Sequence, residues 1–191
     1  MAWIAALHIG LLSVSALLTS ALAVYAYRNR EEPGATAFVV LMAILANWSV
    51  SYGISLLTTN EFWRVVWMRM VWLSTGTIEV WLLLFALAYT GYDEFVTRKT
   101  VAALLVVPVT VIVATWTNPW HRLFWVEHSF ATLDGPVVDN PTWGTLFRAA
   151  VVHTDLLVAV APAPLLPPSH RSHHPSTRTL HALYGGHGTP T

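Results

Sequence analysis

Ionisable side chains lie inside long apolar stretches of this sequence, where their types and spacing could do chemistry. Arg69 and Glu79 lie in the apolar stretch 62–89. Arg148 and Asp155 lie in a later one. A charged group inside a lipid bilayer is costly unless it faces protein or water, and such residues often mark ligand or proton sites. These four residues are therefore candidates for a ligand-binding or signal-receiving site.

The spacing of these groups suggests a shared depth for the two carboxylates. With Trp67 as a marker of the membrane interface, Glu79 lies about 18 Å deeper along a helix. Asp155 lies about 14 Å inside Leu146 by the same helical rise. Arg148 precedes Asp155 by two helical turns, which puts both side chains on one helix face. Both carboxylates are thus expected near the membrane midplane.

Three interpretations of these charges remain open from the sequence. They form a polar cluster that specifies helix packing, or they line a small ligand or proton site inside the bundle. Alternatively, the unusual tail that follows distorts the helix of Asp155 and leaves that carboxylate without a functional partner. Arg69 lies close enough to the interface for its guanidinium to reach water.

The composition predicts an all-α, polytopic transmembrane helix bundle. Hydrophobic residues make up 55% of the 191 residues and charged residues 10%, against about a quarter charged in soluble domains. Basic and acidic residues are equal in number, which argues against a nucleic-acid partner. Cysteine is absent, which excludes disulfides, thiolate metal sites and cysteine nucleophiles. No cofactor and no metal site are predicted, and membrane lipid is the expected surrounding.

Five apolar segments are long enough to be predicted as spans. Asn60 is the expected N-cap of the third segment, and Gly91 lies just past its end. Pro108 is expected to kink the fourth segment, which packed neighbours tolerate. The predicted spans are 3–25, 35–57, 62–89, 101–116 and 146–166.

The distribution of Lys and Arg predicts how the chain is oriented in the cell membrane. Six basic residues fall on one side of the predicted spans and two on the other. We therefore expect the N-terminus and the loop 117–143 outside and the C-terminal tail in the cytoplasm. The larger group is Arg28, Arg30, Arg98, Lys99, Arg171 and Arg178, and the smaller group is Arg64 and Arg122.

The composition changes abruptly near residue 162, which divides the chain into a transmembrane region, 1–161, and a tail, 162–191. The tail is rich in Pro, His, Ser and Thr, and we predict that it is disordered. A shifted reading frame or a truncated gene would explain the break. Its histidines are not predicted to bind a metal, because the prolines argue against a helix that would group them.

An aromatic segment, TNPWHRLFW, follows the fourth predicted span. Asn118-Pro119 is typical of a turn, and Trp120, Phe124 and Trp125 suit the headgroup zone of a membrane. One interpretation is an aromatic belt that closes the loop. The other is a ligand-facing lid with His121 as its polar member.

Three stretches of this sequence together resemble a known family: FWRVVWMRMVWL, LLLFALAYTGYDEFVTRK and TNPWHRLFW. They are similar to the N-terminal seven-helix membrane region of certain sensor histidine kinases, over about residues 1–160. In that family an Arg-bearing third helix ends in a stretch that corresponds here to Phe85, Ala86, Tyr89, Thr90 and Gly91. A motif after the fourth helix corresponds to Asn118, Pro119, His121, Leu123, Phe124 and Trp125.

The chain also departs from the family pattern. The family helix commonly carries Pro where this chain has Ile78-Glu79-Val80, so Glu79 is peculiar to this chain. We expect helices six and seven, the helix with the phosphorylated histidine, and the ATP-binding domain to be missing. The resemblance implies a truncated sensory part, without enzyme activity, that responds to a small ligand or to the membrane. Its signal would pass to a cytoplasmic signalling partner or through a homodimer.

The alternative function is that of a small membrane transporter or channel component. Glu79, His153 and Asp155 favour it, because transport pathways use ionisable groups at mid-depth. A repeated pair of broken helices would favour it further, and the sequence contains none. An intramembrane enzyme would need a catalytic constellation, and none is visible.

Overall fold

The computed structural model describes residues 2–132 and 137–160, and this part of the chain is mostly helical. The first four helices are long and apolar enough to cross a membrane, which confirms the predicted all-α membrane bundle. The tail 162–191 and the end of the fifth predicted span lie outside the described residues. The helices are α1 (Ala2–Arg28), α2 (Ala35–Leu57), α3 (Glu61–Tyr89), α4 (Arg98–His121) and α5 (Thr145–Val160), with a 3₁₀ helix at Asp93–Phe95.

Helix α3 is the central element of the bundle, because it packs against α2, α4 and α5. Helix α1 packs against α2, where the Oγ atoms of Ser15 and Ser49 lie 3.0 Å apart. Gly76 brings α3 close to α4: a Cβ there would lie 3.7 Å from Val111. Small and hydroxyl residues let helix backbones approach closely in a membrane, where water does not drive association.

Polar side chains also join α2 to α3. The Asn47 side-chain amide donates hydrogen bonds to Ser74 Oγ at 2.8 Å and to the Met70 carbonyl at 3.3 Å. At the next residue along each helix, the indole N–H of Trp48 donates to Thr75 Oγ1 at 3.2 Å. These contacts fix the rotation of α2 about its axis, because each polar group needs its partner in an apolar surrounding.

The ends of α3 follow the predicted capping chemistry. The Asn60 side chain accepts a hydrogen bond from the Trp63 amide at 3.2 Å, as an N-cap should. At the other end Gly91 has φ of 81°, and the Tyr92 amide donates to the Leu87 carbonyl at 2.9 Å. Glycine suits that left-handed position after a helix, so both predicted ends are confirmed.

The end of α4 was predicted wrongly. The sequence predicted a span of 101–116 and a turn at Asn118-Pro119, but the helix runs on to His121 and includes both residues. It ends at Arg122, which is left-handed with φ of 51° and donates its amide to the Asn118 carbonyl at 2.8 Å. The polar residues after Trp116 stay helical because the following loop folds back on them, as described below.

The sequence predicts a loop over 117–143, and in the structure the connection from α4 to α5 is residues 122–144, whose described part contains four short strands. We call it the β-loop. Two antiparallel pairs form, β1 with β4 and β2 with β3, and residues 133–136 between β2 and β3 lie outside the described part. The strands are β1 (Trp125–Glu127), β2 (Phe130–Thr132), β3 (Val137–Asp139) and β4 (Thr142–Trp143).

Replacing Asn47 should loosen the packing of α2 on α3. We expect Asn47→Ala to lower the free energy of unfolding by about 1 kcal/mol, the usual size of an interhelical hydrogen bond in a membrane. Circular dichroism recorded at increasing SDS concentration measures the change in the free energy of unfolding. The control is Thr110→Ala, because Thr110 is exposed and bonds only to its own helix. Equal stability of the two variants would contradict the assignment.

Candidate functional site

The side chain of Asn118 holds the start of the β-loop against α4. Its Oδ1 accepts hydrogen bonds from the amides of Phe124 and Trp125, each at 3.0 Å. Its Nδ2 donates to the Trp125 carbonyl at 2.9 Å. Only 8% of Asn118 is exposed, so these bonds replace the water that the loop backbone has lost. One amide side chain thereby satisfies three buried backbone groups.

His121 supports the same turn with both of its ring nitrogens. Nδ1 accepts from the Leu123 amide at 3.0 Å, and Nε2 lies 2.9 Å from Thr117 Oγ1. Thr117 donates its own hydrogen to the Val113 carbonyl at 2.7 Å, so the hydroxyl oxygen must accept from His121. These contacts fit a ring that carries a hydrogen on Nε2 and accepts at Nδ1, and the ring closes the helix end.

An aromatic cluster fastens the β-loop to α3 and α5. Phe124 is fully buried and lies edge-on to Trp72 of α3, with ring centroids 5.1 Å apart. Trp143 stacks on Phe147 of α5 at 3.8 Å, and its ring lies 5.3 Å from that of Trp72. Phe124 and Trp125 thus face protein and not lipid headgroups, while Trp120 is 87% exposed. The cluster connects the loop to two helices at once.

Gly144 lets the two ends of the β-loop meet. Its amide donates to the Phe124 carbonyl at 2.8 Å, and the Leu146 amide donates to the Leu123 carbonyl at 3.0 Å. A Cβ on Gly144 would lie 2.0 Å from the Leu123 carbonyl oxygen, which no side chain can occupy. Glycine is required here because of this close backbone approach.

Two arginines of α3 lie near the β-loop and have different surroundings. Arg64 donates to the Thr58 carbonyl and lies over the Phe130 ring, 4.9 Å from its centroid. Arg69 lies over the Trp116 ring at 5.3 Å, and its Nε is buried without a hydrogen-bond partner. Arg64 therefore joins the α2–α3 turn to the loop. Among the described residues its Nε, like that of Arg69, is buried without a hydrogen-bond partner.

A cavity of about 670 Å³ lies between α3, the end of α4 and β1, and we call it the loop cavity. Beside it, His128 Nε2 lies 2.8 Å from Asp139 Oδ1, an ion-pair distance without the geometry of a directed hydrogen bond. Polar and apolar side chains both line the cavity. They are Val65, Arg69, Asn118, Pro119, Arg122, Trp125, Val126, Glu127 and His128.

A second cavity, of about 170 Å³, lies among α3, α4 and α5 next to the aromatic cluster. Phe124 forms part of its wall, as do Pro108 and Gly76. His153 and Thr154 of α5 supply polar groups in an otherwise mainly apolar lining. Phe124 thus lines this apolar cavity, and the next residue, Trp125, lines the loop cavity.

The structure separates the five charged or polar candidates predicted from the sequence. Arg69 and His121 lie at the end of the bundle that carries the β-loop. Glu79 is half-buried in α3, whereas Arg148 and Asp155 are both exposed on α5. Among the described residues none of these charges forms an ion pair, and neither cavity is lined by Glu79, Arg148 or Asp155.

Several residues of this site gave no sequence signal of their role. Trp72 and Trp143 are two of ten tryptophans, and nothing in their spacing shows that they meet. Gly144, directly before α5, was the best available sign, because glycine often marks a place where another backbone approaches closely. The residues of the motif that resembles the family lie together at the end of α4 and the start of the β-loop, and two of them, Pro119 and Leu123, are exposed. The motif comprises Asn118, Pro119, His121, Leu123, Phe124 and Trp125.

Comparison with known proteins gives one family. The family model described as the N-terminal 7TM region of histidine kinase matches residues 11–187, which is most of the chain. No curated protein and no solved structure matches this chain.

Removing the Asn118 amide should release the β-loop. We expect Asn118→Ala to lower the free energy of unfolding by at least about 2 kcal/mol, because three buried backbone groups lose their partner. Unfolding in SDS measures the change. Asn140→Ala is the matched control, since that Asn also precedes a proline but is exposed. Similar losses in both variants would refute the role of Asn118.

A methyl group at residue 144 should separate the ends of the β-loop. We expect Gly144→Ala to cost more than about 2 kcal/mol, because backbone must move to admit the Cβ. Hydrogen exchange of the 122–144 region, read by mass spectrometry, should become faster. Gly10→Ala is the control: its Cβ would meet nothing within 4 Å, and alanine favours a helix by up to about 1 kcal/mol. Unchanged exchange in Gly144→Ala would rule out the close approach.

Proposed function

We infer the function of this chain from its family, because it belongs to the N-terminal 7TM region of histidine kinases. This family is the membrane input region of those proteins and not their catalytic part. The chain is accordingly a multi-pass membrane protein whose apolar helices lie in lipid.

The proposed role is sensory: the β-loop end of the bundle receives a stimulus, and the helices carry the response to the opposite end. The observation that supports this role is the aromatic cluster. Phe124 and Trp143 of the loop share contacts with Trp72 of α3 and Phe147 of α5. A displacement of the loop would therefore shift both helices, since closely packed side chains do not yield independently.

The Pro-containing helix α4 provides an element that can move. Pro108 is fully buried inside α4 and lies against the apolar cavity, and it lacks the amide that would bond to Leu104. The helix is weakened at this point, halfway between the β-loop and the opposite end. A stimulus that binds one arrangement of these helices better than another would shift their populations.

The proposed orientation follows the basic residues at the two ends. Arg28, Arg30, Arg98 and Lys99 lie at the end opposite the β-loop. The positive-inside rule places that end in the cytoplasm and the β-loop outside. A cytoplasmic signalling partner that carries a histidine kinase module, or a second copy of the chain in a homodimer, would then read the positions of α3 and α5.

The sensory role can be tested in a chimera with a full-length histidine kinase whose own input region is replaced by this chain. We expect Phe124→Ala to change autophosphorylation in membrane vesicles several-fold, because it detaches the loop from α3 and α5. Trp120→Ala, on an exposed side chain at the same end, should behave like the wild type.

The chimera also needs a check of folding. Circular dichroism and SDS unfolding identify a Phe124→Ala chain that is merely unfolded, and the milder Phe124→Leu then serves in its place. If every folded loop variant phosphorylates at the wild-type rate, the loop is not coupled to the kinase and the sensory proposal fails.

A further inference from the structure

We propose that the loop cavity binds an organic anion, a carboxylate or phosphate monoester with an apolar body, through Arg69 and Arg122. As a statement about the stimulus, this inference rests on the sensory role proposed above. The binding itself does not depend on that role.

Arg69 is the main evidence for an anionic ligand. It lies eight residues into α3, about 12 Å from the start of the helix, and it lines the cavity. Trp116 covers its flat face, and within the described part of the chain its Nε, like that of Arg64, is buried without a partner. Among the described residues no carboxylate lies within ion-pair distance of it. The positive charge of Arg69 is therefore available to an anion that enters the cavity.

Arg122 supplies a second guanidinium at the rim of the same cavity. Its left-handed backbone ends α4, and the side chain is exposed. Glu127 is the acidic residue of the lining, while His128 already lies beside Asp139. Two guanidinium groups against one carboxylate give the lining a net positive charge and favour a ligand of negative charge.

The remaining walls indicate that the ligand also has an apolar part. Val65, Pro119, Trp125 and Val126 line the cavity beside the charged groups. Its volume, about 670 Å³, lies in the range of small-molecule sites and far exceeds an inorganic ion. The cavity lies at one end of the bundle, where the anion could come from solution or from the headgroup of an anionic lipid.

The position of the cavity links occupancy to the rest of the molecule. Asn118 and Trp125 line it, and these two residues hold the start of the β-loop. The ring of Trp125 also contacts that of the preceding residue, Phe124, which belongs to the aromatic cluster. A bound anion would therefore touch the segment whose displacement moves α3 and α5.

The test uses the full chain in phosphatidylcholine nanodiscs and two radiolabelled probes, octanoate and octyl phosphate. Equilibrium dialysis, with empty nanodiscs subtracted, measures saturable binding. We expect about one site per chain, and at least about tenfold weaker binding in Arg69→Gln and in Arg122→Gln. Arg98→Gln, which removes an exposed arginine at the opposite end of α4, should bind as the wild type does.

Specificity and folding are controlled separately. Octanol, with the same chain length and no charge, should show no saturable binding. Arg122→Gln changes an exposed side chain and should keep the fold, so it decides the outcome even if Arg69→Gln unfolds. The proposal is overturned if neither probe binds saturably, or if Arg122→Gln and Arg98→Gln bind the probes equally.

Nanodiscs that contain phosphatidylglycerol identify the source of the anion. Weaker apparent binding of octanoate there assigns the cavity to a lipid headgroup, and unchanged binding assigns it to a soluble amphiphile; both support an anion site. Binding that leaves the kinase chimera unaffected would uphold the site and refute the anion as the stimulus, while the loop variants decide the sensory role. A chimera that responds to Phe124→Ala without any probe binding would refute only the anion site.

Discussion

The hydrogen bonds of Asn118 are the interaction on which the β-loop end of this protein depends. A chain that leaves a membrane helix and folds back over the bundle carries backbone groups into a surrounding with little water, where each unpaired group is costly. Asn118 satisfies three of them with one side chain, and His121 satisfies a fourth. The buried part of the turn, at Phe124 and Trp125, is thereby satisfied without water. Phe124 can then point inward among α3 and α5 without leaving its own amide unpaired.

The packing of the β-loop on the helices is specific because few other arrangements of these residues fit. Gly144 must be glycine for the loop to close, and the closed loop places Trp143 on Phe147. The same arrangement leaves a cavity beside Asn118 and Trp125, with Arg69 at its wall. Structural and candidate ligand-binding features therefore share residues at this end of the molecule. This sharing explains how the segment from Asn118 to Trp125 can be largely structural in its contacts and still lie beside a candidate ligand site.

The helices could be predicted from the sequence because long apolar runs bounded by Asn60 and Gly91 have few alternatives. The end of α4 could not, since Asn118-Pro119 has the local chemistry of a turn and stays helical only through contacts with residues further along the chain. The meeting of Trp72, Phe124 and Trp143 likewise depends on tertiary packing. The embedded charges were recognised by type, but helix periodicity alone could not show that Arg69 faces a cavity while Asp155 faces outward.

The most direct test of this account is the solvent exchange of the Phe124 and Trp125 amides, resolved by NMR in the wild-type chain in nanodiscs. Both amides should exchange far more slowly than in an unstructured peptide, because Asn118 and the surrounding aromatic rings exclude water from them. Exchange of either amide at the rate of an unstructured peptide would show that the β-loop is not held to α4, and would contradict the coupling of the loop to the bundle.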